Sequence, residues 1–184
     1  YVNPELASRF IEDPESLALG GKLMGVTLLM SDLRGYTTLS ERLSPGEMVA
    51  LLNRYLGSMT EVIHTFGGTI IEFIGDAIFV VFGAPFSAED DAERGIRCAI
   101  AMQQAMGEFN DRSTAEGYPR LSMGIGVNSG EVIAGNIGSE RAAKYGVIGE
   151  AVNLTARIEG LTTGGQILVS EATRSLLGDD VDCV

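Results

Sequence analysis

The chain has 184 residues, 45% of them hydrophobic, enough to bury a core of its own, and this predicts a single α/β unit. A formal charge of −12 excludes a protein that grips a phosphate backbone through clustered Lys and Arg, so no nucleic-acid partner is expected and an anionic nucleotide needs metal ions to approach. No apolar run approaches the roughly 20 residues that span a bilayer, and the N-terminus lacks a signal-peptide pattern, so no direct membrane contact is expected of this piece. Cys98 and Cys183 lie far apart without metal-ligand spacing, which fits a reducing, cytoplasmic setting.

In chain order, residues 1–24 read as a leader or linker from an upstream regulatory region, interrupted by Pro4, Pro14 and Gly20-Gly21, and residues 25–184 as one catalytic-sized domain. Residues 26–31 form an apolar run suited to a central strand that ends at Asp32. Ser44-Pro45-Gly46-Glu47 is a capping box with Pro at the first helical position, and Met48, Leu51, Leu52, Tyr55, Leu56, Met59, Val62 and Ile63 follow at helical spacing as a core face. His64 has no His or Cys companion and reads as an ordinary helix residue. Gly67-Gly68 stops this helix.

Residues 69–74 and 77–82 are apolar runs separated by Gly75-Asp76, which predicts a tight hairpin with Asp76 at its tip. A second amphipathic helix is expected over residues 88–110, and strand patterning resumes near Leu121 among glycines 124, 126, 130, 135 and 138. A short helix from Glu150 to Glu159 then precedes a strand over residues 166–169. This order predicts an α+β fold: a mixed, largely antiparallel sheet with packed helices on a ferredoxin-like core.

Two aspartates stand at the ends of apolar strands, Asp32 after the first and Asp76 on the hairpin expected beside it. Paired carboxylates are hard oxygen ligands of the kind Mg²⁺ prefers, although each Asp can equally cap a turn. Asn153 and Arg157 are four apart on the short helix and therefore share a face, which the pattern places away from Leu154, Ile158 and Leu161. A solvated polar face is the competing reading for this pair.

Ser-Asp-Leu-Arg-Gly-Tyr-Thr at 31–37 and Ile-Gly-Asp-Ala-Ile at 74–78 resemble the two metal-binding signatures of class III nucleotidyl cyclases. Gly-Glu-Ala-Val-Asn-Leu-Thr-Ala-Arg at 149–157 resembles the third. The resemblance runs from about residue 20 to 175 in the family's order and spacing. It implies the class III cyclase fold and active sites shared across a head-to-tail homodimer. It also implies that Asp32, Asp76 and the Leu33 carbonyl bind two Mg²⁺ or Mn²⁺ ions, and that Asn153 orients the ribose while Arg157 meets charge building on the α-phosphate. Gly35, Tyr36 and Thr37 open a helix whose unpaired N–H groups would cradle the triphosphate.

In this family the position of Glu72 reads the purine, with Lys common in adenylate cyclases and Glu in guanylate cyclases. A carboxylate accepts from guanine N1–H and N2–H₂ together and repels the adenine N1 lone pair. The partner position is Gly146, which donates nothing from a side chain to guanine O6 and lacks the Asp that would receive the adenine amino group. Together the two resemble bacterial, cyanobacterial-type homodimeric guanylate cyclases and imply that GTP is converted to cyclic GMP; an adenylate cyclase using ATP is the alternative. Non-catalytic cyclase-like modules typically lose a metal Asp, the Asn or the Arg, and this chain keeps all four. Gly124 stands where some members place a phosphate-binding Arg, with Arg120 nearby, and the sequence stops before a Lys-Gly motif that often supplies a phosphate-binding Lys.

Overall fold

Strand β1 (Gly20–Arg34) runs through the middle of a six-stranded sheet, with β3 (Ala77–Phe82) on one side and β4 (Ser122–Ser139) on the other, both antiparallel to it. The structure is a computed structural model that describes residues 19–139, 141–178 and 181; Cys183 and most of the segment read as leader lie outside the described residues. Strand β2 (Thr69–Ile74) flanks β3, β5 (Ala142–Ile148) flanks β4, and the short β6 (Ile167–Val169) pairs in parallel with β4. The helices are α1 (Tyr36–Ser40), α2 (Pro45–Thr65), α3 (Asp91–Ala115), α4 (Glu150–Gly160) and α5 (Glu171–Arg174). Within this, β1-α2-β2-β3-α3-β4 with spatial order β2-β3-β1-β4 is the ferredoxin-like core expected from the sequence.

β1 is apolar on both sides because both sides are covered. Leu29 and Leu33 join Val80, Phe82, Ile125 and Val127 beneath α2 and α3, whose Leu51, Tyr55, Met59, Ile96 and Met102 complete the larger core. Val26 and Leu28, on the opposite face, pack with Phe79, Val81 and Val132 against Ala151 and Val152 of α4. The capping box forms as the sequence predicts: Ser44 N donates to Glu47 Oε2 at 2.9 Å, and the Ser44 hydroxyl accepts from Glu47 N. The Gly75-Asp76 turn also forms, with Gly75 at φ 65.

Three boundaries and one face differ from the sequence reading. β1 takes in Gly20–Met24, because these residues pair with Val132–Asn136 of the long β4, and it continues past Asp32 to Arg34, so Asp32 lies within the strand. α3 is displaced toward the C-terminus, since Asp91 Oδ2 accepts from Ala88 N at 2.9 Å and holds residue 88 in the preceding turn. Leu154 and Leu161, assigned to the inner side of α4, are exposed; Thr155 and Glu159 are buried instead. α4 tolerates those polar residues because it lies almost on the sheet backbone, over Gly126 and Gly130 of β4. A Cβ on Gly126 would come within 2.5 Å of Glu159 N.

Gly126→Ala must lift α4 off the sheet, and overpacking of this kind costs about 1–3 kcal/mol. A thermal melt should show a clear fall in midpoint for Gly126→Ala. Gly160→Ala, whose Cβ meets nothing within 4 Å, should hold or raise it. Equal midpoints for the two variants would contradict this packing.

Candidate functional site

The β1/β3 register sets Ser31 opposite Ile78, which brings the β2–β3 turn alongside Asp32. Asp76 then closes the corner: its Oδ2 accepts a hydrogen bond from Leu33 N at 3.1 Å. Burial pushes the Asp76 carboxyl up to about 6, and the neighbouring Asp32 charge and a hydrogen bond with Asp32 push the same way, against the backbone N–H groups that lower it. Two carboxyls held this closely are under like-charge tension that a cation relieves. Among the described residues no cluster of three or more His, Cys, Asp or Glu side chains stands ready for a metal ion. An ion at this corner would therefore complete its shell with backbone and phosphate oxygens, which suits the Mg²⁺ habit of taking one or two carboxylates plus substrate phosphates.

Immediately after β1, Gly35 adopts φ 80 and opens α1 with no side-chain cap on its N-terminus, so Tyr36 and Thr37 lie at an uncapped helix opening beside Asp32. Tyr36 packs partly into the larger core, while Gly35 and Thr37 are exposed.

Arg34 is a residue whose role the sequence reading missed, because that reading ended the strand at Asp32. Two residues apart on one strand, Asp32 and Arg34 share a face. Arg34 Nη1 donates to Asp32 Oδ2 at 2.9 Å, and Nη2 donates to Glu159 Oε1 at 2.5 Å and to the Glu159 carbonyl at 3.0 Å. Burial pushes the Glu159 carboxyl up, and the guanidinium pulls it back down. Arg120, considered from sequence as a phosphate ligand, is instead paired on the surface with Asp111 at 3.0 Å.

Asn153 and Arg157 share an exposed face of α4, and their side chains make no hydrogen bond or ion pair with any described residue. Exposed Leu154 and Leu161 flank them. Glu72 lies on β2 opposite Phe79, after a bulge, and is half exposed. Although β2 and β5 are opposite edges of the sheet path, Lys144 of β5 reaches Glu72 Oε1 at 2.7 Å, which brings the neighbourhood of Gly146 to Glu72. Lys144 was also missed from sequence; its signal is its position two residues before Gly146. Gly146 is buried, and a Cβ there would meet only Ile137 Cδ1 at 3.7 Å. The structure thus joins Asp32 to Asp76 and Glu72 to the Gly146 strand, and leaves Asn153 and Arg157 facing outward.

The raised Asp76 value has a consequence for stability. Between the unfolded value of about 3.9 and the folded value of about 6, the folded chain holds a proton that the unfolded chain has released. This contribution is full below the unfolded value and is lost as pH rises through the folded one. In chelator, the wild-type melting temperature should fall relative to Asp76→Asn as pH rises from about 4 to about 6. Parallel profiles for the two proteins would contradict the proposed tension.

A family model for the adenylate and guanylate cyclase catalytic domain matches residues 21–183. The adenylate cyclase of Anabaena cylindrica is 39% identical over 173 residues, which cover 91% of this chain and 33% of that protein. Among solved structures, the guanylyl cyclase Cya2 aligns with a TM-score of 0.86 at 54% identity, covering 89% of this chain and 83% of that one. The adenylyl cyclase CyaB from P. aeruginosa aligns with a TM-score of 0.86 at 36% identity, covering 90% and 86%. This chain spans a third or less of the length of such curated relatives, 33% of one and 8% of another. The fold is that of the class III nucleotidyl cyclases, and the chain belongs to their catalytic-domain family.

Proposed function

We propose that this chain is the catalytic domain of a homodimeric guanylate cyclase that converts GTP to 3′,5′-cyclic GMP and pyrophosphate. The observation that carries the cyclase reading is the Asp32–Asp76 corner, fixed by Leu33 N and followed in the chain by the uncapped opening of α1. Class III cyclases use divalent metal ions, and the donor set at this corner fits two Mg²⁺ or Mn²⁺ ions held by Asp32, Asp76 and the Leu33 carbonyl. Bound there, such ions acidify the ribose 3′-hydroxyl and neutralise charge on the triphosphate.

The rest is the work of the chain's own groups. The N–H groups of Gly35, Tyr36 and Thr37 receive phosphate oxygens at the opening of α1. Asn153 orients the ribose. Arg157 places its charge on the α-phosphate as the 3′-oxygen bonds to phosphorus and the bond to pyrophosphate breaks. Glu72 accepts from guanine N1–H and N2–H₂, and the contact with Lys144 holds that carboxylate in place. Gly146 leaves guanine O6 to backbone or water. The higher identity to the guanylyl than to the adenylyl cyclase structure points the same way. An ATP-using cyclase is the second reading, favoured by the adenylate cyclase names of curated relatives.

Two observations support a site shared between copies. Among the described residues, Arg157 and Asn153 stand exposed and make no hydrogen bond or ion pair. In addition, Leu23, Ile133 and Ile148, register partners across β1, β4 and β5, form an exposed apolar row. The chain then operates with its metal half facing a second copy's Asn and Arg, in whichever compartment holds the nucleotide; a cytoplasmic location fits a nucleotide substrate. Among the described residues no helix is long and apolar enough to cross a membrane, and a membrane anchor or sensor elsewhere in a longer protein is compatible with this domain.

Asp76→Ala and Arg157→Ala should each abolish cyclic GMP formation when purified alone. Mixed and allowed to exchange subunits, they should recover about a quarter of wild-type activity, since half the dimers are mixed and each mixed dimer has one intact site. No recovery in a mixture shown to contain mixed dimers would contradict the shared site, and activity in Asp76→Ala alone would contradict the metal assignment.

A further inference from the structure

We propose that Arg34 is a positioning residue that locks the Asp32 carboxylate to the far end of α4, so that a metal-binding group and the helix carrying Asn153 and Arg157 are held as one body. The inference rests on the reading of Asp32 as a metal ligand, and is independent of which purine is used.

The guanidinium serves two elements with its two ends. Nη1 donates to Asp32 Oδ2 at 2.9 Å, which restrains the carboxylate's rotation. Nη2 donates to Glu159 Oε1 at 2.5 Å, the Glu159 carbonyl at 3.0 Å and Thr162 Oγ1 at 2.5 Å, all in the last turn of α4 and the residues after it. A planar fork with fixed donor directions makes both sets of contacts at once; a Lys ammonium is a single point and cannot.

The backbone is arranged around this contact. Gly124, which faces Asp32 across the β1–β4 ladder, has no side chain, and a Cβ there would stand 2.3 Å from Arg34 Nη2 and 1.9 Å from Thr162 Oγ1. The space that a residue at 124 would fill is occupied by Arg34 and Thr162. The pair is also partly withdrawn from water, with side-chain exposures of 27% for Arg34 and 11% for Glu159, so truncating Arg34 leaves an almost buried carboxylate uncompensated.

Mn²⁺ binding to the full chain without nucleotide, followed by electron paramagnetic resonance, gives a readout that does not depend on turnover. Groups that orient a metal ligand typically contribute 10–100-fold to metal affinity, so Arg34→Ala and Arg34→Lys should weaken Mn²⁺ binding by about that factor. They should also raise the Mg²⁺ concentration needed for half-maximal cyclase rate, with KM for the nucleotide at saturating metal unchanged. Glu159→Gln, which does not touch Asp32, should weaken Mn²⁺ binding in the same direction, and adding it to Arg34→Lys should cause no further loss. If Arg34→Ala is too unstable to purify, Arg34→Lys and Glu159→Gln carry the test. Lowered melting temperatures with unchanged Mn²⁺ affinity would overturn the proposal by showing that Arg34 only braces the fold, and so would unchanged values throughout. A wild-type chain that binds no Mn²⁺ would instead overturn the metal reading itself, before any variant is compared.

Discussion

The antiparallel pairing of β1 with β3 is the contact on which the rest depends. Its register, with Ser31 opposite Ile78, sets the β2–β3 turn beside Asp32 and lets Asp76 take the hydrogen bond of Leu33 N. A slip of one residue would send Leu29 and Leu33 to the α4 face and turn Asp32 into the large core beneath α2 and α3. Hydrophobic burial on both sides of β1 forbids that slip, because each face already has its own set of apolar partners. Core packing and the geometry of the Asp32–Asp76 corner are therefore fixed by one register. The acidic corner can carry its like-charge tension because the strands beneath it cannot rearrange to relieve it.

A second constraint is the closeness of α4 to the sheet. Gly126 and Gly130 give up side-chain burial so that the helix rests on the strand backbone. This closeness brings Glu159 and Thr162 within reach of Arg34, and it holds Asn153 and Arg157 on a face left exposed by the described residues. The same glycines that would weaken an isolated strand here set the height of a functional helix above it.

Much of this was legible in the sequence. The capping box at Ser44, the Gly75-Asp76 hairpin and the helical stripe from Met48 to Ile63 rest on local rules, and each appears where those rules place it. What was not legible depends on contacts distant in sequence. The ends of β1 are set by pairing with an 18-residue β4, a length no local pattern reveals. The inner face of α4 was misassigned because burying Leu154 and Leu161 is the default expectation, and only a helix seated on glycines buries Thr155 and Glu159 instead. Arg34 and Lys144 each also pair with a carboxylate far along the chain, a contact that no local pattern reveals.

In the proposed reading the aspartates, the Asn and the Arg suit ATP and GTP equally, and the choice of substrate turns on Glu72, its Lys144 partner and the bare Gly146. One measurement bears on this directly: the product made by the purified protein from an equimolar mixture of GTP and ATP with Mg²⁺ or Mn²⁺. The account predicts cyclic GMP as the dominant product. Cyclic AMP in equal or greater amount would contradict it.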